Sequence, residues 1–188
     1  MATALLPLAE GFEEIEAITV IDVLRRGGVS VTTAALSQRL VKGAHGIAIE
    51  ADTLLDTALQ KDFDLIVLPG GLPGAHHLRD DARVQNLLQR AAQQGRYTAA
   101  ICAAPLALAS AGLLNGKRAT GYPGSIDKLN VRGMTLQNDD VVQDGKVITS
   151  RSPATAMSFA LYLLQVLKGE DVARQVGRGC WLNSNGLF

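Results

Sequence analysis

The stretch Asp64-Leu65-Ile66-Val67-Leu68-Pro69-Gly70-Gly71 decides the fold. Its four consecutive apolar residues show no polar alternation, so both faces of the segment are buried, as in the centre of a parallel sheet. Pro69-Gly70-Gly71 then ends the strand abruptly in a tight loop. The reading repeats downstream, where Tyr97 to Ile101 is a second buried strand and Ala103 to Ala111 a helix. Between the two strands, Ala82 to Gln94 places Val84, Leu87, Leu88 and Ala91 on one helical face. Upstream, Thr3 to Leu8 is a buried strand ending at Glu10-Gly11. A helix from Glu13 to Arg26 follows, with acids in its first turn, Arg25-Arg26 in its last, and Gly27-Gly28 as the stop. Its apolar residues, Ile15, Ile18, Val20, Ile21, Val23 and Leu24, are too many for one narrow stripe. This predicts cover on more than one side.

Val29 to Leu36 is a β-branched strand, and Val41 to Glu50 suggests a hairpin around Gly43 and Gly46. Arg118 to Thr120, Val141-Val142 and Val147 to Ser150 are later strands, the last two joined by a turn at Asp144-Gly145. Ser152 to Leu167 is a long helix, opened by a serine cap and Pro153. The order within the tail from Gly177 is left open. Strands alternating with helices predict an α/β architecture, with a mostly parallel sheet covered on both faces and one domain over residues 1–188.

Apolar residues make up 47% of the 188-residue chain, enough to build a core without disulfides or metal. Eighteen basic and eighteen acidic residues leave no net charge, and aromatics are 4%. A nucleic-acid or anionic-membrane surface is therefore not expected. Thr98 to Gly116 is the longest uncharged run, but its Ala, Pro and Gly content reads as strand plus helix rather than a membrane span. Residues 1–10 lack the basic start of a secretory signal. Two cysteines, Cys102 and Cys180, do not form a disulfide framework, and a reducing cytoplasm is the natural setting.

In parallel α/β sheets ligands bind beyond the carboxyl ends of the strands. Four exits converge there if the strands are parallel: Glu13-Glu14-Ile15-Glu16, Leu68 to Gly74, Ala100 to Pro105, and Thr149 to Pro153. Cys102 stands where apolar strand becomes helix, followed by small residues, as at a nucleophile elbow. The free N–H groups of a helix start favour a thiolate there; a small buried hydrophobe is the plainer alternative. Gly70 and Gly71 supply N–H groups for an anion hole, or simply a tight turn. The loop is neither a Walker loop nor G-x-G-x-x-G, so no nucleotide cofactor is expected. Glu16 either complements the helix dipole or, if buried near Cys102, competes with it to ionise and hydrogen-bonds the sulfur.

The three histidines are His45, His76 and His77. None lies downstream of Cys102, which excludes a cysteine–histidine pair of the glutamine amidotransferase order. His76 and His77 follow the glycine loop and either line the site or sit in a solvated loop. With no third ligand in sight, no metal is expected. His45 falls in the hairpin, at a surface or a dimer contact.

Taken together, Gly11-Phe12-Glu13-Glu14-Ile15-Glu16-Ala17, Val67 to Gly71, Ala99 to Pro105, and Thr149 to Thr155 resemble the ThiJ/PfpI superfamily, and within it the YajL-like branch. The resemblance covers nearly the whole chain. It implies a flavodoxin-like three-layer sandwich, usually dimeric. It further implies a reactive cysteine at Cys102, its hydrogen-bonding glutamate at Glu16, and backbone that cradles an oxidised sulfur at Gly71 and Ala103. The implied activity is a cofactor-free glyoxalase or deglycase reaction on 2-oxoaldehydes such as methylglyoxal, or on early glycated protein adducts. The implied alternative is a redox-sensing stress chaperone. The peptidase branch carries histidine directly after its cysteine; Ala103 stands here and argues against proteolysis. Tyr122 stands where a relative has histidine, and with a reference pKa of about 10 it donates a hydrogen bond better than it acts as a base. His45 replaces an arginine of other members. Pro153 is a further candidate for lining the site.

Overall fold

A computed structural model of the chain describes residues 1–181. Residues 182–188, the end of the tail, lie outside the described residues. The chain alternates as predicted: β1 (Thr3–Leu8), α1 (Glu14–Arg26), β2 (Ser30–Ala35), then a hairpin of β3 (Leu40–Lys42) and β4 (Ala48–Glu50). After these come β5 (Thr53–Leu54), α2 (Leu55–Ala58), β6 (Leu65–Leu68), α3 (Gly74–Asp80), α4 (Ala82–Gln93), β7 (Tyr97–Ile101) and α5 (Pro105–Ser110). The C-terminal third holds β8 (Arg118–Ala119), β9 (Thr135–Leu136), β10 (Val141–Asp144), β11 (Val147–Ser150), α6 (Ala156–Lys168) and α7 (Glu170–Gly179).

Seven strands form the main sheet in the order β10-β11-β7-β6-β1-β2-β5. Every neighbouring pair is parallel except β10 with β11, the hairpin predicted at Asp144-Gly145. The central strand β6 is buried along its whole length, as its unbroken apolar run requires. α1 packs with α6, and α6 with α7, on one side, and α3, α4 and α5 pack together on the other. This is the flavodoxin-like three-layer α/β sandwich. Leu5, Leu6, Leu65, Ile66, Leu68 and Phe159 are among its largest fully buried side chains.

Several elements depart from expectation. The segment carrying His76 and His77 is helix α3, because Ala75 and Leu78 give it a buried face. The predicted helix from Ser152 starts instead as a 3-10 turn, Pro153–Thr155, with α6 beginning at Ala156. Ser152 and Thr155 satisfy each other's backbone N–H groups in a capping box there. β8 leaves the main sheet and pairs with β9. α7 carries the chain through Gly177 to Gly179, into the tail whose order the sequence leaves open. α1 buries Ala17, Val20, Val23 and Leu24 but leaves Ile15 and Ile18 exposed, so its second side is uncovered within this chain. Among the described residues, no helix is long and apolar enough to cross a membrane.

Candidate active site

The strands β11, β7, β6 and β1 lie side by side and parallel, so their four exits open at one edge of the sheet. Register sets the detail: Ser150 pairs with Ile101, and Leu68 with Ala100. Cys102 follows directly and turns the chain sharply. Its φ is +63°, a left-handed conformation that non-glycine residues rarely adopt and that costs about 1–3 kcal/mol. The surroundings hold it there. Its N–H donates to the Ser150 carbonyl (3.0 Å), and its own carbonyl accepts from the Tyr122 N–H (2.7 Å) and the Ser125 hydroxyl (3.4 Å). The side chain thereby leaves the strand direction, and the sulfur faces the Gly71 and Ala103 N–H groups, which favour its anion.

Glu16 comes from the first turn of α1 and is fully buried. One carboxyl oxygen, Oε2, accepts from the Gly70 N–H at 2.8 Å, while Oε1 has no hydrogen-bond partner. The remaining hydrogen-bonding neighbour of the carboxyl is the Cys102 thiol. Gly70 is wedged between the two groups. A Cβ there would lie 2.6 Å from Glu16 Oε2 and 2.8 Å from the Cys102 Cβ, so no larger residue fits. Gly71 adopts φ +87°, and its Cβ would meet the Glu13 nitrogen at 2.3 Å. These glycines therefore do more than turn the chain: they admit the carboxyl to the sulfur.

Burial pushes the Glu16 carboxyl up to about 7, against the opposing pull of the thiol and the Gly70 N–H. Burial also pushes the Cys102 thiol up, and the Glu16 charge pushes it further, to about 12. The sequence expectation of a depressed thiol is therefore corrected for the state in which Glu16 is ionised. The two donors at Gly71 and Ala103 offset only part of the desolvation. The pair behaves as one unit that gives up its first proton near neutrality. Sulfur carries the resulting charge only where the carboxyl keeps its proton and donates it in a hydrogen bond.

The other candidates separate. Tyr122 supports the elbow through its backbone, while its side chain is half exposed. Pro153 opens the 3-10 turn after β11 and is partly exposed; the link from this loop to the cysteine is the Ser150 carbonyl. His76 is exposed on α3, and His77 directs Nδ1 to the Glu10 carbonyl at 3.1 Å; neither is tied to the sulfur. His45 meets α1 instead. Its N–H donates to Glu14 Oε1 (2.7 Å), and Nδ1 lies 2.9 Å from Glu14 Oε2 and 3.4 Å from Glu13 Oε2. Burial alone would raise Glu14, but His45 and the N–H groups of His45 and Ile47 hold it below the usual carboxylate value. Cys180 caps the end of α7, and both cysteines are free.

Sequence reading missed Ser125, Ser150 and the structural part of Glu14. A serine in a loop, a serine at a strand end and an acid at a helix start carry no signal that separates them from ordinary ones.

Residues 2–166 match the DJ-1/PfpI family. The chain belongs to that family. It is 44% identical to Protein DJ-1 homolog A of Arabidopsis thaliana over 97% of its own length; because it covers 47% of that relative, it spans about half of the longer plant protein. It is 39% identical to Glutathione-independent glyoxalase DJR-1.2 of Caenorhabditis elegans, over 90% of each. The crystal structure of Drosophila melanogaster DJ-1beta superposes with a TM-score of 0.91 at 39% identity, covering 97% of this chain and 98% of that one.

Proposed function

We propose that this DJ-1/PfpI member is a cofactor-independent thiol enzyme acting on small 2-oxoaldehydes, free or as early adducts on protein amines. The observation that carries this reading is the buried Glu16 carboxyl beside a sulfur held at φ +63° and faced by the N–H groups of Gly71 and Ala103. A relative with 39% identity named as a glutathione-independent glyoxalase supports it.

In the proposed course, the Cys102 thiolate adds to the aldehyde carbon of methylglyoxal, and the carbonyl π electrons move to oxygen. The resulting hemithioacetal oxyanion lies near the Gly71 and Ala103 donors, which stabilise it without reorganising. Glu16, protonated or ionised near neutrality, moves a proton from the former aldehyde carbon to the neighbouring one through an enediol. Water then cleaves the thioester, releasing lactate and restoring the thiol. One water is consumed and no electron acceptor is needed.

Lactate production from methylglyoxal tests this. Wild type turns over, Cys102→Ser falls at least a thousandfold, and Glu16→Gln falls at least a hundredfold although its amide still reaches the sulfur. Equal rates in wild type and Cys102→Ser exclude the mechanism. A second reading rests on the same N–H groups, which suit a sulfenate or sulfinate oxygen: Cys102 oxidation as the signal of a stress chaperone, with incidental turnover. Peroxide-treated protein in the same assay separates the two. Loss of turnover alone favours the enzyme, whereas a gain in protection of an aggregating client favours the sensor.

We further propose a homodimer, supported by the exposed Ile15 and Ile18 of α1 and by Ile47 of the β3–β4 hairpin, which Glu14 ties to α1.

A further inference from the structure

Three metal-ligating side chains outside the thiol machinery meet beside it. Glu13 and Glu14 come from the entry to α1, and His45 from the β3–β4 hairpin. Their donor atoms all lie within 4.8 Å of one another. His45 Nδ1 is 2.9 Å from Glu14 Oε2 and 3.4 Å from Glu13 Oε2. Ligand atoms on a shell of about 2 Å around one ion stand about 3–4 Å apart, so only small side-chain shifts separate this arrangement from a coordination triangle.

The carboxylates are the unusual part. Glu13 and Glu14 side chains are 10% and 5% exposed, so both are nearly removed from water. Glu14 is well satisfied, with Oε1 held by the N–H groups of His45 and Ile47. Among the described residues the Glu13 side chain accepts no hydrogen bond, and its ionic neighbour is the His45 ring 3.4 Å away. A carboxylate nine-tenths buried with no hydrogen-bond donor is poorly compensated, and it points into the cluster. The His45 ring, by contrast, is 69% exposed, which leaves an entry path and open coordination positions for water.

We propose that Glu13, Glu14 and His45 form a site for one divalent cation of the zinc class. One imidazole nitrogen with two carboxylate oxygens is a borderline donor set, suited to zinc rather than to calcium or magnesium, which take oxygen alone. The hairpin N–H groups that hold Glu14 act as an outer shell, fixing one ligand oxygen before an ion arrives. The start of α1 carries about half a positive charge, which opposes a cation, but two full carboxylate charges outweigh it. The expectation of no metal considered only His76 and His77. The fold supplies a different histidine, and it brings the two glutamates with it.

Calorimetric titration of zinc ion into the chelator-stripped, full-length protein tests the site. The expected result is one ion per chain, with affinity unchanged in Cys102→Ser and at least tenfold weaker in His45→Ala and in Glu13→Gln. His45 is exposed, so its replacement leaves the core intact; circular dichroism of each variant verifies the fold. No binding at 100 µM zinc, roughly the weak limit for a specific protein site, overturns the proposal. So does an affinity that His45→Ala leaves unchanged, or one that only Cys102→Ser abolishes, since the ion would then sit elsewhere.

Discussion

At the scale of single residues, the centre of the molecule is a competition for one proton. Glu16 and Cys102 are both desolvated, and each disfavours ionisation of the other. The carboxyl ionises near 7, and its charge then helps push the thiol up to about 12. Alkylation of Cys102, followed against pH by mass spectrometry, is therefore expected to inflect above the ordinary thiol value of 9.0. An inflection near 7 would show that the carboxyl yields its charge to the sulfur. The stability sign follows from the same shift. A carboxyl raised from 4.5 to about 7 stabilises the fold fully below 4.5, and that contribution is lost as pH rises through about 7. Burying the ionised carboxyl at higher pH costs about 3 kcal/mol, a cost typical of sites kept for reactivity.

At the scale of elements, charged and polar side chains clip helices and strands into position. Asp52, just before β5, accepts from the N–H and hydroxyl of Thr33 on β2 and pairs with Arg25 of α1. Its partial burial acts to raise its pKa, but the Thr33 bonds and the Arg25 charge outweigh this and hold it below the ordinary aspartate value of 3.8. The stability it gives is present above 3.8 and lost as pH falls through the lower folded value. Asp52→Asn is expected to lose about 1 kcal/mol at pH 7. In urea titrations repeated from pH 7 to pH 2.5, the gap between variant and wild type should close at the acid end. A gap of constant size would mean that the charge contributes nothing. The same scale explains why α3 is hidden in the sequence. His76 and His77 obscure a two-residue apolar face, and no propensity scale assigns seven residues to a helix without its neighbours.

At the scale of the whole molecule, the order of strands sets the site. β11, β7, β6 and β1 run parallel, so loops far apart in sequence arrive at one edge, and that edge takes Cys102 and Glu16. The same packing leaves Ile15, Ile18 and Ile47 uncovered. Ile18→Asp places a charge in that patch and, in the proposed dimer, is expected to shift the mass measured by light scattering from about two chains to about one at 10 µM. With subunits held together by a few such apolar contacts, one buried charge removes several kcal/mol. A variant that remains dimeric would place the interface elsewhere.

Much of this was legible in one dimension. Unbroken apolar runs such as Leu65 to Leu68 and the small residues after Cys102 determine by themselves a parallel α/β sheet with a cysteine at a strand exit. Burial on both faces and the steric demands of a sharp turn are local requirements that residue types record directly. Tertiary structure alone decided which acid meets the sulfur, that His45 joins Glu13 and Glu14, and that the thiol's proton is held tightly rather than loosely. Those outcomes depend on distance and desolvation between segments dozens of residues apart, and neither quantity is written in any single stretch of chain.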